Sequence, residues 1–65
     1  MHILINQQPH DCPAGATLAD AIALLQPAGP FAAAVNATFV PRSRYAQHAL
    51  QDGDRVEVIA PVTGG

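Results

Sequence analysis

The feature that most constrains this chain is its carboxyl-terminal segment, where a strand signal runs almost directly into Gly64-Gly65. The segment opens with a turn around Gly53, a residue that reaches positive φ without a Cβ penalty. Arg55–Ile59 then alternates polar and β-branched residues, as a half-buried strand does. Pro61 cannot donate to a ladder, and glycine has no side chain to pack. The pattern predicts a final strand followed by a flexible tail over 61–65.

Length and composition limit the classes of protein that this chain can belong to. Its 65 residues make one domain with a thin core. Three arginines and no lysine argue against a nucleic-acid partner. A single cysteine cannot form an internal disulfide, which is typical of a reducing compartment. No apolar run approaches the ~20 residues of a membrane span, and no signal-peptide pattern opens the chain. We therefore expect a soluble cytoplasmic domain with no membrane partner.

The amino-terminal segments predict a β-hairpin. Met1–Asn6 is rich in β-forming residues, and Gln7-Gln8 supplies the turn into a second strand over Pro9–Cys12. Because proline cannot donate to a ladder, this second strand is expected at a sheet edge. Alternation along the first strand directs Ile3 and Ile5 into the core.

The segment after Thr17 predicts a helix of about nine residues. Thr17 with Asp20 three residues later is a variant of the capping box. Pro27 and Gly29-Pro30 end the helix. One apolar face is predicted from residues at helical spacing, namely Leu18, Ala21, Ile22 and Leu25.

The remaining elements complete a β-grasp arrangement. Phe31–Asn36 favours a strand, because Asn36-Ala37 makes a tight turn into Thr38–Val40 before Pro41. Arg42–Leu50 predicts a turn with a short helical piece, in which Tyr45 and Leu50 are partly buried. The expected class is α+β, with a mixed four- to five-stranded sheet packed on one main helix over residues 1–60.

The side chains provide no catalytic or metal-binding constellation. Cys12 lacks a neighbouring cation to activate it, so we interpret it as a small apolar residue closing a strand. The three histidines, His2, His10 and His48, do not have metal-ligand spacing, and the scattered glycines form no phosphate-binding loop. By elimination, the reactive group is the α-carboxylate of Gly65, with Gly64 required for access to it. The chain is then a carrier or a substrate without a bound cofactor or metal, and not an enzyme.

Strand phase predicts a docking patch. Because Arg55 and Glu57 must face water, Val56 and Val58 face the core and Ile59 faces outward. The same reasoning puts Leu4 outward on the first strand, which a β-grasp sheet places beside the last. The predicted patch for a partner protein comprises Leu4, Ala34, Ile59 and Val62.

Six short motifs together resemble the ThiS family, the sulfur carrier proteins of thiazole (thiamine) biosynthesis. Each motif is weak alone, and their order and spacing over essentially the whole chain are specific. The matching segments are Met1-x-Ile3-Leu4-x-Asn6, Cys12-x-Ala14-Gly15-x-Thr17, Ala34-Val35-Asn36, Val40-Pro41-Arg42, Gln51-Asp52-Gly53-Asp54 and Gly64-Gly65.

The resemblance implies a ubiquitin-like β-grasp fold and a defined cycle. A ThiF-like adenylyltransferase, similar to ubiquitin-activating enzymes, would use ATP and Mg²⁺ to convert the Gly65 carboxylate into an acyl-adenylate. Sulfur from a persulfide donor such as a cysteine desulfurase would displace AMP and leave a thiocarboxylate. A thiazole synthase would then accept the sulfur.

Three other functions remain open on the sequence. The sulfur carrier of molybdopterin synthesis shares the fold and the Gly-Gly end, although chain length and the Val40-Pro41-Arg42 segment favour the thiazole branch. A ubiquitin-like modifier would be joined to lysines of target proteins. A β-grasp interaction module with an inert tail is the third alternative.

Overall fold

Five strands and one α-helix make up the part of the chain that the structure, a computed structural model, describes, namely residues 1–27 and 29–59. The strands are β1 (His2–Ile5), β2 (Gln8–Asp11), β3 (Ala32–Val35), β4 (Thr38–Val40) and β5 (Arg55–Ile59). The helix α1 spans Leu18–Leu25, and a 3₁₀ turn spans Arg42–Arg44. The predicted α+β order is confirmed. The predicted boundary between a domain over 1–60 and a tail over 61–65 lies outside the described residues.

The sheet has the order β2-β1-β5-β3-β4, in which β5 is central. β1 and β5 are parallel, whereas the other three pairs are antiparallel. The edge position predicted for the strand that contains Pro9 is confirmed, because β2 pairs only with β1. None of the described helices is long and apolar enough to cross a membrane.

Both hairpins turn through two residues with left-handed backbone conformations. The first uses Asn6 and Gln7, with φ of 50° and 69°, and the second uses Asn36 and Ala37, with φ of 51° and 67°. The predicted Gln7-Gln8 turn is therefore wrong by one residue, and the second strand begins at Gln8. Asparagine tolerates positive φ better than most residues do, so the tight turn begins at Asn6.

The amino terminus of α1 is secured by side-chain and loop contacts. Thr17 Oγ1 accepts a hydrogen bond from the Asp20 N–H at 3.3 Å, and the Asp20 carboxylate accepts from the Thr17 N–H at 2.9 Å. The first N–H groups of the helix, on Leu18 and Ala19, have no acceptor within the helix and donate to backbone carbonyls of the 45–48 loop at 2.9 and 3.0 Å. The predicted capping box is confirmed, and it fixes where the helix enters the core.

One apolar core lies between the helix and the sheet. Ile3, Ile5, Val56 and Val58 are buried, as strand alternation predicts, and Leu50 is more deeply buried than expected. Leu25 does not belong to this core, because the helix ends there and its side chain is 38% exposed. The core side chains are Ile3, Ile5, Cys12, Ala16, Leu18, Ala21, Ile22, Ala33, Val35, Val40, Leu50, Val56 and Val58.

Candidate functional site

The candidate site is the end of the sheet at which β5 finishes. β5 is hydrogen-bonded on both sides, to β1 and to β3, so its direction is fixed by two neighbours. Its last residue, Ile59, is the last one that the structure describes. The predicted reactive residues Gly64 and Gly65, and the predicted docking residue Val62, lie outside the described residues. The described part of the site is β5 together with the residues that hold it in the sheet.

Two asparagine side chains hold β5 near its two ends. Asn36 Oδ1 accepts from the Arg55 N–H at 3.0 Å, while Asn36 Nδ2 donates to Asp54 Oδ1, also at 3.0 Å. Asn6 Oδ1 accepts from the Val58 N–H at 2.9 Å. Both asparagines open a two-residue hairpin turn, and each therefore couples a turn to the central strand.

An apolar patch lies on the sheet face opposite the helix, beside the end of β5. Ala32 is the register partner of Ile59, and Ala34 is the register partner of Phe39. Ile59 is 60% exposed and Phe39 65% exposed, whereas Ala34 is half-buried. We call Ala32, Ala34, Phe39 and Ile59 the β3 patch. It contains two of the predicted docking residues, Ala34 and Ile59, on neighbouring strands.

Leu4 does not join the β3 patch, and its predicted clustering with Ile59 is wrong. Leu4 faces outward but is half-buried between its register partners, Pro9 on β2 and Arg55 on β5. Arg55 is the first residue of β5 and Ile59 the last. At ~3.3 Å per residue, four residues of strand separate the two levels by about 13 Å. Adjacent strands share a face, but the register decides which side chains meet.

Phe39 is a component of this surface that the sequence analysis did not single out. Its neighbours Thr38 and Val40 alternate with it, and the burial of Val40 puts Phe39 outward. Little in the sequence indicated this, because Thr38-Phe39-Val40 does not alternate between polar and apolar residues and both Thr38 and Phe39 are exposed. Its position opposite Ala34 follows from the β3–β4 register, which the short Asn36–Ala37 turn determines.

Side chains within the described residues form no alternative reactive centre. No group of three or more His, Cys, Asp or Glu residues there could hold a metal ion. Cys12 is buried, and its backbone N–H and C=O pair with the carbonyl and the amino group of Met1. Thr17 and Asp20 are occupied with capping. The interpretation of Cys12 as a packed residue is consistent with these contacts.

The mixed five-stranded sheet, its single helix and its parallel β1–β5 pair define a protein of the ubiquitin-like β-grasp class. The chain belongs to the ThiS family, whose sequence model matches residues 3–65. It is 39% identical to the sulfur carrier protein ThiS of Escherichia coli K12 over 66 aligned residues, which cover all of both chains. The crystal structure of the thiamine biosynthesis protein ThiS from Geobacter metallireducens superposes with a TM-score of 0.81 over the whole of both chains. At 20% identity, that structure supports the fold alone.

Proposed function

We propose that this protein is a sulfur carrier for the biosynthesis of the thiazole ring of thiamine. The observation that carries the proposal is the full-length similarity to a sulfur carrier, in a chain that ends its matched region with Gly64-Gly65. Membership of the family favours this role over the molybdopterin carrier, the ubiquitin-like modifier and the inert module.

In the proposed cycle, an adenylyltransferase uses ATP and Mg²⁺ to convert the Gly65 carboxylate into an acyl-adenylate. AMP is a good leaving group, whereas a carboxylate oxygen is not. The terminal sulfur of a persulfide donor, such as a cysteine desulfurase, attacks the carbonyl carbon and displaces AMP, which gives an acyl disulfide. A second thiol then reduces the S–S bond, so that the thiocarboxylate is released and that thiol ends in a disulfide with the donor. A thiazole synthase then accepts that sulfur. The carrier performs none of these steps as a catalyst.

Glycine at the last two positions suits both the adenylation step and the sulfur-transfer step for a steric reason. The same carbonyl carbon must be approached first by ATP and later by a sulfur nucleophile. A Cβ on either terminal residue would crowd that carbon and the channel leading to it, whereas glycine leaves both faces open. Gly64 and Gly65 are therefore proposed as the residues required for activation.

The β3 patch is proposed as the docking surface for the adenylyltransferase or the thiazole synthase, and Val62 is proposed as a further docking residue. Large apolar side chains that are well exposed and clustered mark interaction sites more often than isolated ones do. Phe39 and Ile59 lie on the strands to either side of β3, offset by two residues in register, and their β3 partners Ala34 and Ala32 lie between them. We further propose that the cycle operates in the cytoplasm, which agrees with the free thiol of Cys12.

The proposal is tested by the intact mass of the chain after co-expression with an adenylyltransferase and a cysteine desulfurase, without the thiazole synthase that would remove the sulfur. The expected result is a mass increase equal to the difference between one sulfur and one oxygen atom, located at the carboxyl terminus. Gly65→Val should abolish the increase and leave the unfolding transition unchanged. A chain that never gains sulfur, or that accumulates as covalent adducts of other proteins, would contradict the proposal.

A further inference from the structure

The acidic side chains at one end of the sheet are engaged within the molecule. His2 Nδ1 lies 2.6 Å from Asp11 Oδ1, and the His2 N–H donates to Asp52 at 2.6 Å. Asp54 accepts from the Asn36 amide at 3.0 Å and from a backbone N–H of its own loop at 2.8 Å. These residues lie where β1 begins and where the 51–54 loop leads into β5. These carboxylates therefore contact groups of the same molecule and stabilise that end of the fold.

Arg42 lies at the opposite end of the sheet. It begins the 3₁₀ turn Arg42–Arg44, which follows β4 after one proline. Val40, the last residue of β4, pairs with Ala33, while Ile59 pairs with the preceding residue of β3. The antiparallel registers thus place Arg42 at the end where β5 finishes. Within residues 1–27 and 29–59, no carboxylate lies within 4.0 Å of its guanidinium.

Phe31 and Pro30 connect Arg42 to the β3 patch. Two shallow grooves are both lined by Pro30 and Phe31. The first groove is completed by Gly29 and Arg42, and the second by two members of the β3 patch, Ala32 and Ile59.

The aromatic part of this surface is fixed in place. The Phe31 ring stacks on Tyr45, with centroids 6.0 Å apart and an interplanar angle of 14°. The Tyr45 N–H donates to the Arg42 carbonyl at 3.3 Å, and the Tyr45 carbonyl accepts from the helix N–H of Ala19 at 3.0 Å. The cation and the apolar surface are therefore carried by one connected unit rather than by independent loops.

We propose that the surface from Arg42 across Pro30–Phe31 to the β3 patch binds an acidic segment of the partner protein, with a carboxylate at Arg42 beside an apolar side chain on the patch. This inference rests on the proposed function, since the partner is the adenylyltransferase or the thiazole synthase. Charge complementarity selects the occupant, because no carboxylate in the described part of the chain pairs with Arg42. Glu57 is exposed on the outward face of β5, opposite Ala34, so it borders the β3 patch on the side away from β4. The carboxylate of the partner is therefore expected on the Arg42 side of the patch.

The test compares Arg42→Gln with Arg55→Gln, two exposed arginines at opposite ends of the same sheet. Kd is measured for the purified adenylyltransferase and the purified thiazole synthase of the same organism, at low and at high ionic strength. Arg42→Gln should weaken binding to one of them about twofold to fivefold at low salt, as expected for an exposed ion pair. Arg42→Glu should weaken it by about tenfold or more, because it faces a like charge.

Raising the salt to about 0.5 M should make the wild type and Arg42→Gln converge, because exposed charges are screened. Arg55→Gln should bind like the wild type at both salt concentrations. Equal affinities for Arg42→Gln and the wild type, or equal losses for both glutamine variants, would overturn the inference. Binding of inorganic phosphate at Arg42 in the absence of a partner protein would also overturn the inference, because it would make Arg42 a phosphate site.

The two proposals fail in different ways. If the wild type gains terminal sulfur and Arg42→Gln binds normally, only the acidic-segment inference is lost. If the wild type neither binds these proteins nor gains sulfur, the proposed function fails and the inference fails with it. Thermal unfolding of each variant checks that the fold is retained.

Discussion

Asn6 replaces a backbone acceptor for Val58 with its own side chain. The Asn6 N–H donates to the Val56 carbonyl at 2.9 Å, so the next acceptor along a parallel ladder would be the Asn6 carbonyl. Asn6 has a φ of 50°, which ends β1 and turns that carbonyl away. Its Oδ1 instead accepts from the Val58 N–H at 2.9 Å. One side chain thereby forms the turn and extends the pairing of β5 towards its end.

Asn6→Ala should destabilise the fold by about 1–3 kcal/mol, because the partly buried Val58 N–H would lose its acceptor. Alanine also adopts positive φ at a cost that asparagine largely avoids. Urea unfolding gives the free energy, and hydrogen exchange at the Val58 amide reports the bond itself. Asn6→Asp retains both the acceptor and the tolerance of the turn, so it should stay near the wild type. Continued protection of the Val58 amide in Asn6→Ala would show that the bond is not needed.

Thr17→Ala should cost about 1 kcal/mol of unfolding free energy, the typical value for losing a helix N-cap. Thr17 Oγ1 accepts from the Asp20 N–H, and alanine offers no replacement. Thr17→Ser is the matched control, because it keeps the hydroxyl and removes only the methyl group. Denaturant unfolding of the three proteins measures the difference. If serine is as destabilising as alanine, packing of the methyl group, and not the cap, is what matters.

Cys12→Ala should still acquire sulfur at the carboxyl terminus in the co-expression assay. The Cys12 side chain is only 6% exposed, so it is poorly placed to exchange sulfur with another protein. We expect a modest loss of stability from the smaller side chain, of about 1 kcal/mol. Labelling by a thiol reagent should be slow in the native wild type and fast in denaturant. A folded Cys12→Ala protein that never forms a thiocarboxylate would give Cys12 a chemical role.

Local signals predicted the elements of this fold, whereas non-local register determined the surface. Capping by Thr17 and alternation along β5 depend on neighbours within a few residues, so they can be read directly from the sequence. The separation of Leu4 from Ile59 depends on the register between β1 and β5, which no local sequence pattern specifies. The role of Asn6 towards Val58 spans 52 residues and was missed for the same reason.

Phe39→Asp and Ile59→Asp should each weaken binding to the adenylyltransferase or the thiazole synthase by more than tenfold. Both side chains are mostly exposed in the described structure, and burying one against a partner contributes about 1.5–3 kcal/mol. Because little packing is lost in the free protein, unfolding free energies should change by no more than about 0.5 kcal/mol. Leu4→Asp, by contrast, should destabilise the fold, since Leu4 is half-buried.

Leu24→Asp is the control for these two variants. Leu24 is 56% exposed, close to the 60% of Ile59, but it lies on the helix, on the other side of the sheet. It should therefore leave both affinity and stability near the wild type. Titration calorimetry and urea unfolding on the same preparations separate the two effects. Equal weakening by Leu24→Asp would mean that a charge anywhere on the surface disturbs binding, and unaltered affinity in Phe39→Asp and Ile59→Asp would remove the β3 patch from the interface.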